Sequence, residues 1–246
     1  MDCYREFAHI YDELINEDID YEKWAKAITS ICDEFKVSKM DYLDLACGTG
    51  NLTLQIAPHF KNIWAVDISY DMLTEAENKF REENIKGKLV CQNICDLKLN
   101  KTFNLITCCL DGINYILDKK SLNNLFKNVY KHLKEDGLFI FDINSYYKLK
   151  NILGNNLFSY DDEDITYVWR NTIKDNIANM DITFFIREDE NNYIRFDEEH
   201  KERAYKEEEI EEVIINNGFK ILKVSDSYED KKIEEKTQRI VYILTK

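Results

Sequence analysis

The chain has 246 residues, which suits one α/β domain with a sizeable core or a domain that carries an insertion. It has 33 Lys and Arg residues against 47 Asp and Glu residues, for a formal net charge of −14. This balance argues against a nucleic-acid surface, which needs a basic stripe, although it leaves room for a local basic patch. We find no signal-peptide pattern and no apolar run that could span a bilayer, so we expect a soluble, cytoplasmic protein.

The seven cysteines form no CxxC pair and follow no regular spacing. Cys91 and Cys95 lie four positions apart without a nearby histidine, so we expect no metal site. Cys91, Cys108 and Cys109 lie in apolar runs, where a free cysteine behaves as a small hydrophobe. The pattern is typical of the reducing cytosol.

Residues 1–40 are predicted to form two helices, because their apolar residues recur at helical spacing. The two apolar faces are formed by Phe7, Ile10, Tyr11, Leu14 and Ile15, and by Trp24, Ile28, Ile31, Cys32 and Phe35. Asp18 or Asp20 can cap the second helix. We expect both helices to cover an edge of a sheet.

Residues 42–57 read as a strand, a glycine turn at Gly48 and Gly50, and a helix. This order presents backbone N–H groups to a ligand at the carboxyl edge of an α/β sheet. Asp44 would repel a pyrophosphate at this turn, and Thr53 stands where the dinucleotide fingerprint requires a glycine. The ligand is therefore expected to carry no phosphate and to be cationic, as S-adenosylmethionine is.

Strand and helix patterns alternate over residues 42–143, which predicts right-handed βαβ units and a mainly parallel sheet. The predicted strands are 42–46, 62–67, 88–94, 103–109 and 137–143, and the predicted helices are 50–57, 69–84 and 119–135. Asp67 ends the second strand, where a carboxylate can accept both hydroxyls of a ribose. NAD-binding folds share this arrangement, so it supports adenosine binding without selecting the chemistry.

Residues 145–205 break the alternation and are predicted to form an inserted antiparallel sheet. Its β-like stretches are 164–173, 177–187 and 192–200. Such a sheet can form a lid over the carboxyl edge of the parallel strands, and a dimerisation or edge-covering sheet fits the same pattern. Trp169, Arg170 and Arg203 could line a substrate pocket, although alternation does not say which face points inward. His200 is expected to have a surface or capping role rather than that of a general base.

Residues 206–246 are predicted to form an acidic helix followed by two strands. We therefore predict a cofactor-binding domain formed by residues 1–144 and 206–246, interrupted by a small β lid subdomain at 145–205.

Asp44, Ala46, Gly48 and Gly50 match the first motif of the class I S-adenosylmethionine-dependent methyltransferases, an acidic residue followed by three small residues at alternate positions. The chain resembles this family, with Ala46 in place of the first glycine, and in particular small bacterial methyltransferases with a leading Tyr-Asp helix and a β insertion. The resemblance implies a Rossmann-like α/β fold with a mainly parallel sheet, an antiparallel closing hairpin and an inserted antiparallel β lid. It also implies S-adenosylmethionine as the cofactor.

The resemblance assigns roles to further residues, for each of which an ordinary structural role also fits the sequence. Met72 would lie against adenine, Asp96 would accept a hydrogen bond from the adenine amino group, and Tyr11 would touch the methionine end of the cofactor. Asp111 would lie nearest to the reaction centre and orient the cofactor's ammonium or the substrate. The candidate cofactor-binding residues are therefore Tyr11, Asp44, Ala46, Cys47, Gly48, Gly50, Asp67, Met72, Asp96 and Asp111.

The segment 111–115 lacks the Asn/Asp-Pro-Pro-aromatic signature of nucleobase amine methylases, and the fourth strand lacks a Pro-Cys pair for attack on pyrimidine C5. We therefore predict methyl transfer to a small molecule by a monomer or homodimer, with no membrane partner. No catalytic residue can be named, because methyl transfer mainly needs positioning and water exclusion. A tRNA or protein methyltransferase and a non-catalytic cofactor-binding regulator remain alternatives. An NAD-dependent oxidoreductase is opposed by Asp44 and Thr53.

Overall fold

The computed structural model describes residues 19–189 and 192–246, so the candidate Tyr11 and the first predicted helix lie outside the described residues. In chain order the elements are α1 (Tyr21–Glu34), β1 (Asp41–Leu45), α2 (Asn51–Ile56), β2 (Asn62–Asp67), α3 (Tyr70–Glu82), β3 (Gly87–Cys91), β4 (Phe103–Cys108), α4 (Lys119–His132), β5 (Leu133–Asn144), a π-helical segment (Lys148–Leu153), β6 (Leu157–Asp161), β7 (Ile165–Lys174), β8 (Ile177–Arg187), β9 (Tyr193–Arg203), α5 (Glu207–Asn216), β10 (Lys220–Asp226) and β11 (Arg239–Thr245). None of the helices in these ranges is long and apolar enough to cross a membrane.

The main sheet has seven strands in the order β10-β11-β5-β4-β1-β2-β3. Strands β1 to β5 pair in parallel, whereas β11 pairs antiparallel with both β5 and β10. Every residue of β1 and β4 is buried, as expected for central strands covered on both faces. Helices α4 and α5 cover one face, and α1 and α2 cover the other. The predicted parallel sheet with an antiparallel closing hairpin is confirmed.

The second sheet is an antiparallel meander in the order β6-β7-β8-β9, formed by the segment predicted to be an insertion. Apolar side chains on its inner face pack against the rest of the fold. Ala178 and Met180 pack with Leu149 of the π-helical segment, and Phe184 packs with Met72 of α3. The four-stranded sheet therefore contacts the π-helical segment that follows β5 and also contacts helix α3.

Some local details depart from the predicted boundaries. Helix α4 ends at His132 rather than at residue 135, because Leu133 already pairs with Phe103 as the first residue of β5. Strand β6 was not predicted, since it is short and pairs only with β7. The predicted cap of α1 is confirmed at Asp20, whose side chain accepts a hydrogen bond from the Lys23 N–H at 2.9 Å.

Candidate active site

The turn after β1 is held in an uncommon backbone conformation. Ala46 and Gly48 both have φ of +54°, and Gly50 has φ of +80° as the N-cap of α2. The Cys47 N–H donates to the carbonyl of Val66 at 3.1 Å, which fixes the turn to the end of β2. Ala46 therefore adopts a conformation that favours glycine, at the very position where the methyltransferase motif usually has one.

Asp67 joins the turn to the start of α3. Its Oδ2 accepts the Gly48 N–H at 2.8 Å and its Oδ1 accepts the Ser69 N–H at 2.9 Å. Burial raises the pKa of the Asp67 carboxyl, and the two backbone N–H groups partly offset that rise. Each carboxylate oxygen keeps a lone pair for a further donor.

Gly48 borders open space. A Cβ atom built on Gly48 would meet no atom of residues 19–189 and 192–246 within 4 Å apart from its two chain neighbours. Open space beside a backbone turn and a carboxylate with free lone pairs fits the ribose end of S-adenosylmethionine. Gly48 and Asp67 are therefore well placed to hold this cofactor.

Asp44 lies beneath the turn rather than in the open space. It is only 2% exposed, and its two oxygens accept hydroxyl hydrogen bonds from Thr53 at 2.5 Å and from Thr107 at 2.6 Å. Burial raises the pKa of Asp44 to about 6, against these two hydrogen bonds. Thr53, which replaces the glycine of the dinucleotide fingerprint, is thus a partner of the acidic residue of the motif.

Met72 and Asp96 occupy different environments. Met72 is buried against Phe184 of the four-stranded sheet, and its N–H donates to Ser69 Oγ at 3.2 Å. Asp96 is exposed at the end of a 3₁₀ turn. Asn93 comes two residues after β3, and its side-chain oxygen accepts the Cys95 N–H at 2.8 Å. Asn93 is therefore closer along the chain to the sheet edge that carries Asp67, and sequence reasoning did not assign it a role.

Asp111 belongs to a buried charged network. Its carboxylate pairs with Arg239 Nη2 at 2.8 Å, and the other terminal nitrogen of Arg239 donates to Asp142. Asp142 is fully buried and also accepts the Leu110 and Asp111 N–H groups, each at 2.9 Å. The network fixes the loop after β4 against β5 and β11. Asp111 is thus at the expected edge of the sheet, with its charge already paired.

Arg239 and the loop that precedes β11 also contact helix α1. The Trp24 ring lies 4.4 Å from the Tyr228 ring, and the Arg239 guanidinium lies 5.2 Å from the Trp24 ring centroid. Tyr228 donates to Asp142 at 2.6 Å. The second predicted helix therefore packs beside the charged network.

The three substrate candidates do not converge. Trp169 lies on the inner face of the four-stranded sheet, packed near the π-helical segment, whereas its neighbour Arg170 is exposed on the outer face. Arg203 donates to the Leu117 carbonyl at 3.2 Å and lies 3.7 Å from a Glu209 oxygen. Arg170 thus lies on the face opposite to Trp169, and Arg203 braces β9 against α5.

The inner face of β9 carries a row of titratable residues that sequence reasoning missed. Glu198, His200 and Glu202 are at most 6% exposed, at alternate positions of the strand. His200 Nδ1 lies 3.4 Å from the Tyr115 hydroxyl, and burial lowers the His200 pKa to about 4. The expected surface role of His200 is thus wrong. Charged residues occupy both faces of this strand, so the sequence offered no apolar alternation to separate them.

Asn114 fixes this row to the end of the main sheet. It is fully buried, its Oδ1 accepts the Asn144 N–H at 2.9 Å, and its Nδ2 donates to the Arg203 carbonyl at 3.0 Å. The Arg203 N–H in turn donates to the Asn114 carbonyl at 2.7 Å. Strand β9 is therefore held beside the carboxyl ends of β4 and β5.

Replacing Asp67 with Ala should weaken the binding of S-adenosylhomocysteine by more than about tenfold, because charge-assisted hydrogen bonds are lost. Titration calorimetry measures this effect. Asp71→Ala, which removes the same charge in the first turn of α3, is the matched control. An Asp67→Ala protein that melts normally and binds with unchanged affinity would exclude a cofactor role for this carboxylate.

Comparison with known proteins agrees with this geometry. The methyltransferase domain family model matches residues 43–137. The Bacillus subtilis (strain 168) protein YqeM, which is named as a methyltransferase, is 30% identical over 242 residues, covering 97% of this chain and 95% of that protein.

Two solved structures extend the comparison. An S-adenosylmethionine-dependent methyltransferase from Clostridium acetobutylicum ATCC 824 is 55% identical, with a TM-score of 0.93 over 98% of each chain. The sugar N-methyltransferase KedS8 from Streptoalloteichus sp ATCC 53650 shares the fold at 18% identity, with a TM-score of 0.77 over 96% of this chain and 93% of that chain. The chain belongs to the S-adenosylmethionine-dependent methyltransferases.

Proposed function

We propose that this methyltransferase acts on a small molecule held between the four-stranded sheet and the carboxyl ends of β4 and β5. The observation that carries the proposal is the position of the inner face of that sheet. Phe184 contacts Met72 on the α3 side, and His200 contacts Tyr115 on the β4 side. An acceptor beneath this sheet would be enclosed by protein, which suits a small molecule.

We further propose that residues 145–205 act as a lid on a domain formed by 1–144 and 206–246. A lid that excludes water strengthens electrostatic interactions within the site and keeps the reacting groups at the distance and orientation that the reaction needs. The contact of Met72 with Phe184 and the attachment of Arg203 to Asn114 place this sheet against the main one.

The cofactor contacts are proposed from the geometry of the turn. When bound, S-adenosylmethionine supplies a methyl carbon already activated by a sulfonium. Gly48 and Asp67 would hold the ribose, and Met72 with Asn93 or Asp96 would border the adenine.

Asp44 acts through its charge beneath Ala46 and Cys47, because threonine hydroxyls occupy its oxygens. Gly50 packs against α3, where a Cβ would lie 3.2 Å from the Ala76 Cβ, so its role is to let the turn approach that helix.

Charge supports a small acceptor over a nucleic acid. The chain carries a net charge of −14. A polyanion would meet net repulsion from the protein. KedS8, which shares the fold, is described as a sugar N-methyltransferase, and this description is consistent with a small acceptor.

Release of S-adenosylhomocysteine tests the proposal when the purified protein and S-adenosylmethionine are mixed with three separate acceptor pools. The pools are low-molecular-weight cell extract, bulk tRNA and denatured total protein. Turnover with the small-molecule pool alone is the expected result.

Turnover with tRNA or protein alone would overturn the small-molecule assignment. Cofactor binding with no turnover in any pool would instead favour a non-catalytic regulator. Calorimetry with S-adenosylmethionine, S-adenosylhomocysteine and NAD provides the binding control, and binding of the first two without NAD is expected.

A further inference from the structure

Glu202 is a buried carboxyl group whose hydrogen bonding is incomplete. It is 4% exposed, and its Oε2 accepts a hydrogen bond from Asn144 Nδ2 at 2.8 Å. Within residues 19–189 and 192–246, this is the hydrogen bond that the carboxyl group makes, and Oε1 is not among the fully enclosed side-chain atoms that lack a partner. Oε1 therefore retains some accessible surface, and its lone pairs can accept a hydrogen bond from a ligand.

The position of Glu202 is fixed from two directions. Asn144, at the end of β5, also accepts a hydrogen bond from Lys148 Nζ at 2.9 Å. The backbone of β9 is tied to Asn114 through the next residue, Arg203. The carboxyl group therefore lies at the carboxyl edge of the main sheet, beside the loop that carries Asp111.

The charges around Glu202 balance one another, so the ionisation of Glu202 itself sets the net charge of this cluster. The groups that face it or its neighbours are Asp111 from the loop after β4, Asp142 from β5, Lys148 from the π-helical segment, Arg239 from β11, and His200 from β9 itself. Arg239 is already shared between Asp111 and Asp142. His200 adds no positive charge near neutral pH, because burial lowers its pKa to about 4. Among the described residues, Lys148 is the cation that is left to face Glu202, so the cluster is net negative when Glu202 is ionised.

We propose that Glu202 Oε1 binds the amino group of the methyl acceptor and takes its proton, so that this enzyme methylates the nitrogen of a small amine. The inference rests on the proposed small-molecule function.

Glu202 receives the proton that the acceptor must lose before it can be methylated. An ammonium acceptor gives one proton to the carboxylate, which frees the nitrogen lone pair. The nitrogen–carbon bond then forms as the carbon–sulfur bond breaks, and its electron pair stays on sulfur. The methylated amine leaves as a cation, and the carboxyl group returns its proton to solvent. Burial, followed by the nearby Asp111 carboxylate, raises the pKa of Glu202 to about 8, in the range suited to a base that works near neutral pH.

The test uses wild-type protein saturated with S-adenosylhomocysteine and titrated with matched amine and alcohol pairs. The pairs are cyclohexylamine and cyclohexanol, benzylamine and benzyl alcohol, and glucosamine and glucose. We expect at least one amine to bind about tenfold or more tightly than its alcohol partner. Its binding near pH 7 should release about one proton, measured by calorimetry in buffers of different ionisation enthalpy.

Glu202→Gln should remove both the preference for the amine and the proton release, while S-adenosylhomocysteine affinity stays unchanged. Glu199→Gln, on the exposed outer face of the same strand, is the matched control and should keep both. Equal binding or no binding for both members of every pair would overturn the inference, as would an amine preference that survives Glu202→Gln.

The wild-type pH dependence decides the case if Glu202→Gln does not fold. Because protonated Glu202 competes with an ammonium ligand, amine affinity should fall about tenfold for each pH unit below about pH 8. A flat affinity between about pH 6 and about pH 8 would overturn the inference. Turnover that requires an alcohol acceptor would also overturn it while leaving the proposed function intact. Absence of all small-molecule turnover would instead reject the proposed function.

Discussion

Replacing Arg239 with Met should lower the free energy of unfolding by about 3–5 kcal/mol, measured by urea denaturation. The Arg239 side chain is 11% exposed and lies between Asp111 and the fully buried Asp142. Removing it leaves two carboxylates close together in a buried environment without a cation.

Two further variants test whether the loss of the buried cation causes this destabilisation. Lys23→Met removes a cation from an ion pair with Glu229 at 2.7 Å whose partners are both well exposed, and it should have a far smaller effect. Adding Asp142→Asn to Arg239→Met should recover part of the lost stability. If Arg239→Met were no more destabilising than Lys23→Met, the network would not contribute to stability as described.

Replacing Gly48 with Val should weaken S-adenosylhomocysteine binding by about a hundredfold or more. The Cβ and its methyl groups would fill the open space proposed for the cofactor, and the φ of +54° adds backbone strain for a β-branched residue. Calorimetry measures the affinity, and thermal unfolding measures how much strain contributes.

Gly218→Ala is the control for backbone strain, because Gly218 has φ of +87° and follows α5, where a Cβ would meet the Tyr130 ring. It should lower the melting temperature without changing affinity. Normal cofactor binding by a folded Gly48→Val protein would show that the turn does not face the cofactor.

The sequence was most informative where burial imposes a simple pattern. The predicted strand 62–67 coincides with β2, and the first and fourth predicted strands shift by one residue or less at each end. Central parallel strands are apolar on both faces, so their limits are visible as apolar runs between turn residues. The glycine turn and the acidic Asp44 could be recognised for a similar reason, because Asp44 lies in the first strand and the turn comes directly after it.

The charged parts of the candidate site were hidden from this reasoning. In β9, Glu198 and Glu202 point inward while Asp197 and Glu199 point outward, so residue type does not distinguish the faces. Arg239 reaches Asp111 and Asp142 only because β11 inserts beside β5, which is a long-range pairing. The inward face of β7 could not be assigned from sequence either, so Trp169 and Arg170 were not separated, because a register shift of one residue reverses the face.

The contact between Met72 and Phe184 bears on the order of the steady-state reaction. The sheet that carries Phe184 also carries His200 and Glu202, so one element covers both ends of the site. An acceptor held at Glu202 would keep this element closed over α3 and slow the escape of the nucleoside. The proposed lid and acceptor site therefore predict ordered addition, with the methyl donor binding first and its demethylated product leaving last.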